Sequence, residues 1–512
     1  MMSKFNERDK IINSFQCLSQ TIPCIVTYHI DQFLTLDDIN NLRQIRQFKN
    51  IKKNLSHIII DLDEIKSNIE LDNIIFDRIT FNNNYSMYND MIKLFENISY
   101  LRFGEDFNET IKLPKKLKEL IMGTEYNKSI ELPDTLEILI TGWEFNQKIV
   151  LPNTLKKLKL GWSFNQMITI PPSLVILELF ENFNQIITLP NTLEKLILGN
   201  SFDQDLNIPK NLKYLKAGRD FNKDIILPNT LEQLYLRNRF TKSIILPNSI
   251  THLQLGGAIV KSIPNSVKYL CLEKVNRIIP DSVFILVLNN NFNEPLDFIP
   301  KNLKKLVIKS ILFNQNIDIL PDNIEELIIK SDEFNQIITK LPKNLKKLVI
   351  NSSLFNQNID MLPDSIEELI IRSDEFNLII KKLPKNLKKL YIGWILNYPI
   401  ISFPNGLKHL EIEYDFNQKI DNLPDGLERL ILNGYFNQSI DMIPDSIKYL
   451  KLGRFFNQPI KKLPVNLEEL YFDIHFNQMI YDIPKNIKTL RISNNYIYMD
   501  IFKGKNININ LF

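Results

Sequence analysis

Glycine is scarce in this chain, with 14 residues among 512, although proline is ordinary at 25. A long, loop-rich protein normally turns on glycine, so other residues must make the turns here. Cysteine is scarcer still, at Cys17, Cys24 and Cys271. So sparse and odd a set makes neither a disulfide framework nor four-ligand zinc spacing, and it points to a reducing compartment. The histidines (His29, His57, His252, His409, His475) are scattered, with no HxH or HxxxH pair. The formal net charge of +3 lacks the overall basicity of a nucleic-acid binder. No uninterrupted apolar run approaches the roughly 18 residues of a membrane span. The first ten residues are polar and mixed in charge, unlike a signal peptide. Walker, Rossmann, GxSxG and HExxH signatures are absent. The expectation is a soluble cytoplasmic protein without cofactor, metal, nucleic-acid or membrane partner, and without enzymatic activity.

What the chain does have is a period. Twenty of its 25 prolines fall in one series from Pro114 to Pro484. The first seven steps are 19 residues each; steps of 17 and 16 follow, then one of 20, four of 21 and five of 20. Around each proline sits one unit, LPxxLxxLxL followed by FNQxI. One copy is Leu423-Pro424-Asp425-Gly426-Leu427-Glu428-Arg429-Leu430-Ile431-Leu432, then Phe436-Asn437-Gln438 and Ile440. LxL alternates with period two, the signature of a short strand with one buried face. Phenylalanine returns the chain to the core. Proline fixes φ at the corner and withholds an N–H that has no partner there. The FN asparagines either bridge successive coils through their amides or each make their own turn. Trp143 and Trp162 hold matching places one coil apart and should stack.

One such unit cannot bury its own apolar face, but stacked neighbours can. The fold expected is therefore a β-rich solenoid of about 20–23 short coils with a parallel β face. Weak coils around Leu55, Ile58 and Ile60, and around Phe76, Ile79 and Phe81, should cap it within 51–97. The repeat body should run over 98–512, with irregular short coils at about 248–291 and a closing cap at about 494–512. Residues 301–342 and 343–384 are near-copies that differ at seven positions, among them Lys309 against Asn351. A nearest-neighbour solenoid tolerates such a duplication.

In a stacked array the variable positions line up in columns. One column reads Cys271, Val287, Val307, Ile328, Val349, Ile370, Tyr391. An exposed apolar stripe of this kind marks an interaction site, so Val287, Val307, Ile328, Val349, Ile370 and Tyr391 are the candidate partner-binding column; simple β propensity is the alternative. The flanking column reads Lys305, Glu326, Lys347, Glu368, Lys389, which should give exposed cross-strand ion pairs.

The unit resembles the FNIP repeat family, within the leucine-rich-repeat class, over roughly residues 90–500. The FN pair is intact at 107–108, 145–146, 164–165 and 183–184, among others, and departs at Tyr126, Phe202-Asp203, Phe240-Thr241 and Leu396-Asn397. The family is known mainly from social amoebae and giant viruses of amoebae. The resemblance implies a scaffold that binds other proteins; in a virus its place would be the host cytoplasm.

Residues 1–50 do not fit the repeat. Ile22-Pro23, Ile30, Phe33-Leu34, Asp38-Ile39, Leu42-Arg43, Ile45 and Phe48 follow a broken helical spacing. The segment resembles an F-box, with departures at Asp31 and Phe48. That implies a small helical N-terminal module in which Pro23, Ile30, Phe33, Leu34, Asp38, Ile39, Leu42, Ile45 and Phe48 dock on the Skp-type adaptor of a cullin ubiquitin ligase. The solenoid would then hold an unknown protein substrate. Alternatively, an amphipathic helical pair merely covers the first coil.

Overall fold

The computed structural model describes residues 98–512, apart from 238 and 275–277, together with the backbone of 78–80. The F-box-like module at 1–50 lies outside the described residues. So does the capping region at 51–97, except for the strand Arg78–Thr80, which pairs in parallel with Tyr100–Arg102. The chain divides into two compact units, Met1–Pro247 and Asn248–Phe512. The division falls just before the two short proline steps.

Each LxL becomes a strand. In Lys157–Leu160 the two leucines are fully buried while Lys157 and Lys159 face outward. Within the first unit the strands pair in parallel, leucine on leucine: Leu158 lies opposite Leu177, and Leu177 opposite Leu196. The second unit repeats this, for example Leu348 opposite Leu369. Among the described residues there is no α-helix, only a 3-10 turn at Met499–Phe502. No helix there is long and apolar enough to cross a membrane.

The proline corner works as a turn. The Leu193 N–H donates to the Pro190 carbonyl at 3.2 Å, and Leu427 does the same to Pro424 at 3.1 Å. The Thr192 hydroxyl then reaches back one coil to the carbonyls of Pro172 (2.7 Å) and Leu174 (2.8 Å). A polar residue after proline therefore turns the chain and ties it to its neighbour.

The phenylalanines form a stack through the core of each unit. In the first, Phe145, Phe164, Phe183 and Phe202 follow one another with ring centroids 6.0 to 6.2 Å apart. In the second, Phe313, Phe334, Phe355 and Phe376 do so at 5.8 to 5.9 Å. Each ring pair adds about 0.5–1.5 kcal/mol to its burial. Beside the rings the asparagines bridge coils, which decides between the two readings. Asn146 Oδ1 accepts the Asn165 N–H at 3.0 Å and the Gln166 side-chain amide at 3.1 Å. Asn335 Oδ1 does the same for Asn356 and Gln357, at 2.9 and 2.8 Å. Both polar letters of FNQ are thus one ladder. Trp143 and Trp162 do meet, at 5.5 Å, but tilted by 42° and not stacked face to face.

Candidate functional site

Strands 301–372 of the second unit are longer than those of the first, and their outer faces carry three columns. The apolar one is not the open stripe its sequence suggests. Val287, Val307 and Val349 are only 5–7% exposed. Each is flanked in register: Val307 sits between Val287 and Ile328, and Val349 between Ile328 and Ile370. The parallel spacing of about 4.8 Å lets these side chains cover one another. Cys271, Val287 and Val307 form a shallow second core with Tyr269, Ile285 and Ile328. Ile328, Ile370 and Tyr391 stay half-buried. The column is therefore a floor with a few open places. Cys271 is part of that floor: burial pushes its thiol up to about 12.

The charged columns behave as expected up to a point. Lys305 pairs with Glu326 at 2.6 Å and Lys347 with Glu368 at 2.7 Å. In the adjacent column Glu325 is held between Lys304 (2.9 Å) and Lys346 (2.8 Å), and Glu367 by Lys388 (2.6 Å). Then both alternations break at the same pair of strands. Lys389 stands opposite His409, and His409 opposite Arg429. Next to them the Lys408 N–H bonds to the Lys388 carbonyl, so two lysines are neighbours there too. Lys388 and Lys408 keep the carboxylates of Glu367 and Glu428. Among the described residues no ion pair within 4.0 Å holds Lys389 or Arg429. The Arg429 guanidinium instead lies 3.4 Å from the Tyr449 ring centre. Partial burial, with Lys389 and Arg429 on either side, pulls His409 below its ordinary value.

The same strands end unusually. After Lys389–Ile392 comes Gly393, then Trp394 at φ 76°; after His409–Ile412 comes Glu413, then Tyr414 at φ 47°. One coil on, the matching place belongs to Gly434 at φ 67°. Left-handed backbone suits glycine and strains bulky residues. Trp394 and Tyr414 nevertheless occupy it, 43% and 57% exposed. Their rings contribute little core to offset the strain. Tyr435 and Phe455 continue the exposed rim, their rings stacked 4.4 Å apart.

Between the basic end and the aromatic end lie Ile370, Tyr391 and Glu411, in register. Arg372 sits 4.5 Å over the Tyr391 ring. Burial and the neighbouring Glu413 push the Tyr391 hydroxyl up to about 12. Burial, then Glu413, also raises Glu411. A single face over strands Lys389–Ile392, His409–Ile412 and Arg429–Leu432 thus combines cations, half-open apolar groups and exposed aromatic rings. Tyrosine, tryptophan and arginine are the residues that dominate binding hot spots.

Of the candidate column, Ile370 and Tyr391 belong to this face, and Val287, Val307 and Val349 are closed floor. Arg429, Trp394 and Tyr414 were not foreseen. Following the Lys–Glu alternation one strand past Lys389 would have exposed the basic break; positive φ at Trp394 leaves no mark in the sequence.

The architecture is that of a parallel β-solenoid of leucine-rich-repeat type. Comparison with known proteins sharpens this. The family described as FNIP Repeat matches in overlapping copies that together span residues 126–258 and 334–495. That is more than half of the chain, and the chain belongs to the FNIP repeat family. Among solved structures it is similar to one described as the crystal structure of CroV588, a novel circular LRR protein. The two share 29% identity over 89% of this chain and 87% of that one, with a TM-score of 0.59. YopM from Yersinia enterocolitica WA-314 is also similar, at 20% identity over 77% of this chain and 87% of that one, with a TM-score of 0.35. No curated protein matches.

Proposed function

We propose that this chain is a protein-binding scaffold whose recognition face lies on strands Lys389–Ile392, His409–Ile412 and Arg429–Leu432. The observation that carries this is the pair Trp394 and Tyr414, held exposed on left-handed backbone. Residues that cost folding energy and build no core are retained for contact with something else. In this reading the chain does no chemistry of its own. Its finer role is the substrate-recognition subunit of an SCF-type ubiquitin ligase: the F-box-like residues Pro23, Phe33, Leu34, Asp38 and Leu42 engage a Skp-type adaptor, and the solenoid holds the target. A plain binding scaffold is the second reading, favoured because the family match covers solenoid residues alone.

Co-purification separates the two. Full-length protein should retain a Skp-type adaptor, and protein lacking residues 1–50 should not. Failure of the full-length chain to retain the adaptor removes the ligase role and leaves the scaffold. Trp394→Ala with Tyr414→Ala should release the target while the far-UV spectrum is unchanged.

A further inference from the structure

We infer that the partner docked on this face presents an acidic, extended polypeptide segment, with carboxylates over Lys389, His409 and Arg429 and an apolar residue over Ile370 and Tyr391. The inference rests on the scaffold reading above. It is carried by an irregularity in charge, not by charge as such. From Lys304 to Lys388 and from Lys305 to Lys389 the two columns alternate strictly in sign, and their ion pairs satisfy most members. Like charges directly opposite one another are destabilising. Both columns nevertheless place like-signed or titratable basic residues opposite each other at one step, between the strands that begin at Lys389 and His409. A glutamate at position 409 would continue the pattern and stabilise the fold. Lys389 does face Glu368, but Lys347 already holds that carboxylate, and Glu411 and Glu428 flank the row without an ion pair within 4.0 Å to Lys389 or Arg429; an external carboxylate supplies the close partner.

The surroundings favour a polypeptide over a free anion. Along the same strands the basic end passes within two residues to half-buried Tyr391 and then to the exposed Trp394. Glu411 and Glu413 stand on the aromatic side and repel further carboxylate there, which sets the direction of an acidic segment. A nucleic-acid backbone is a poorer fit, because those two carboxylates interrupt the positive surface that continuous phosphates need.

The test uses full-length protein and three fluorescent probes: a peptide of alternating glutamate and leucine, its lysine–leucine counterpart, and a single-stranded oligonucleotide. The glutamate–leucine peptide should bind, and Lys389→Glu with Arg429→Glu should weaken it about tenfold or more. Charge reversal at Lys115 and Lys210, in the first unit, should leave binding unchanged. Binding should tighten as the pH falls below the ordinary histidine range of about 6.5, because His409, held low by burial and by Lys389 and Arg429 with Glu428 opposing, then gains its charge; His409→Gln should abolish that pH response. The inference falls if the lysine–leucine peptide or the oligonucleotide binds better, or if reversal at 389 and 429 in a folded protein has no effect. If those reversals leave capture of the target intact while Trp394→Ala with Tyr414→Ala abolishes it, the scaffold reading stands and the acidic partner does not. If neither pair of changes affects capture, the face itself is wrong.

Discussion

The 19-residue coils of the first unit and the 21-residue coils at 301–384 bury the same leucines and the same phenylalanine, yet leave the strand in opposite ways. In most of the short coils glycine follows the strand, with Phe180 and Arg237 at the same place in two others. A Cβ on Gly123, Gly142, Gly161 or Gly218 would stand 1.7 Å from the carbonyl oxygen of the matching glycine one coil back. In the long coils a serine holds the corresponding exit, and the strand runs on to reach it, as in Lys305–Ser310. The buried Ser352 hydroxyl donates to the carbonyls of Phe334 (2.9 Å) and Asp332 (3.2 Å); Ser373 does the same for Phe355 and Ser353. One exit is tight and unadorned; the other is wider and tied by hydrogen bonds. The longer strand adds an outer column, Lys309, Lys330, Asn351 and Arg372, that the first unit lacks. Where the long coils give way to 20-residue ones, after Pro384, the exit changes again and strained aromatics take it. Coil length therefore sets what the outer face can display.

The largest effect should come from Gly218→Ala. The added methyl meets backbone on the preceding coil, so urea unfolding should lose about 3 kcal/mol or more. Tolerance of alanine there would break the comparison. A smaller loss, about 1–2 kcal/mol, is expected for Ser352→Ala, which takes the hydroxyl donor from the buried Phe334 carbonyl, while the Asp332 carbonyl keeps the Leu354 N–H. Ser310 sharpens the contrast. It is fully buried, but its hydroxyl meets no partner, and Asn290 stands opposite it. Ser310→Ala should be neutral or slightly stabilising in the same assay. Trp394→Gly should change stability by no more than about 1 kcal/mol, since relieved strain offsets the flexibility gained by the unfolded chain. Partner capture should nevertheless fall.

The smallest effect concerns the exposed ladder. Lys346 and Lys304 together hold the Glu325 carboxyl at about 2. A folded-state value below the unfolded one stabilises above the ordinary glutamate range, near ~4.3, and the contribution is lost as pH falls toward about 2. Glu325→Gln should flatten that part of the pH–stability curve of the second unit, with a small loss at neutral pH that vanishes as the pH falls toward about 2.

Much of this was legible because it is repeated. The proline series fixes the coil, the leucine alternation fixes the strand, and the phenylalanine spacing fixes the core. Other features escaped for physical reasons. FNQ fits an isolated turn as well as a ladder, and only the coil spacing decides. Alternation says which face Val307 occupies but not that its register neighbours close over it. Glycine, scarce overall, looks unused until Gly123, Gly142, Gly161, Gly199 and Gly218 are seen in one column, each against the backbone of the coil before. The backbone angle at Trp394 cannot be read from residue types at all.

Site-specific photocrosslinking tests the central claim most directly. A photoreactive phenylalanine analogue would replace Trp394 in the second unit or, in a separate protein, Trp162 in the first, followed by capture of the crosslinked partner. Crosslinking at 394 to an acidic segment of the partner, with none at 162, is the predicted result. Equal crosslinking at both positions, or at 162 alone, would contradict it.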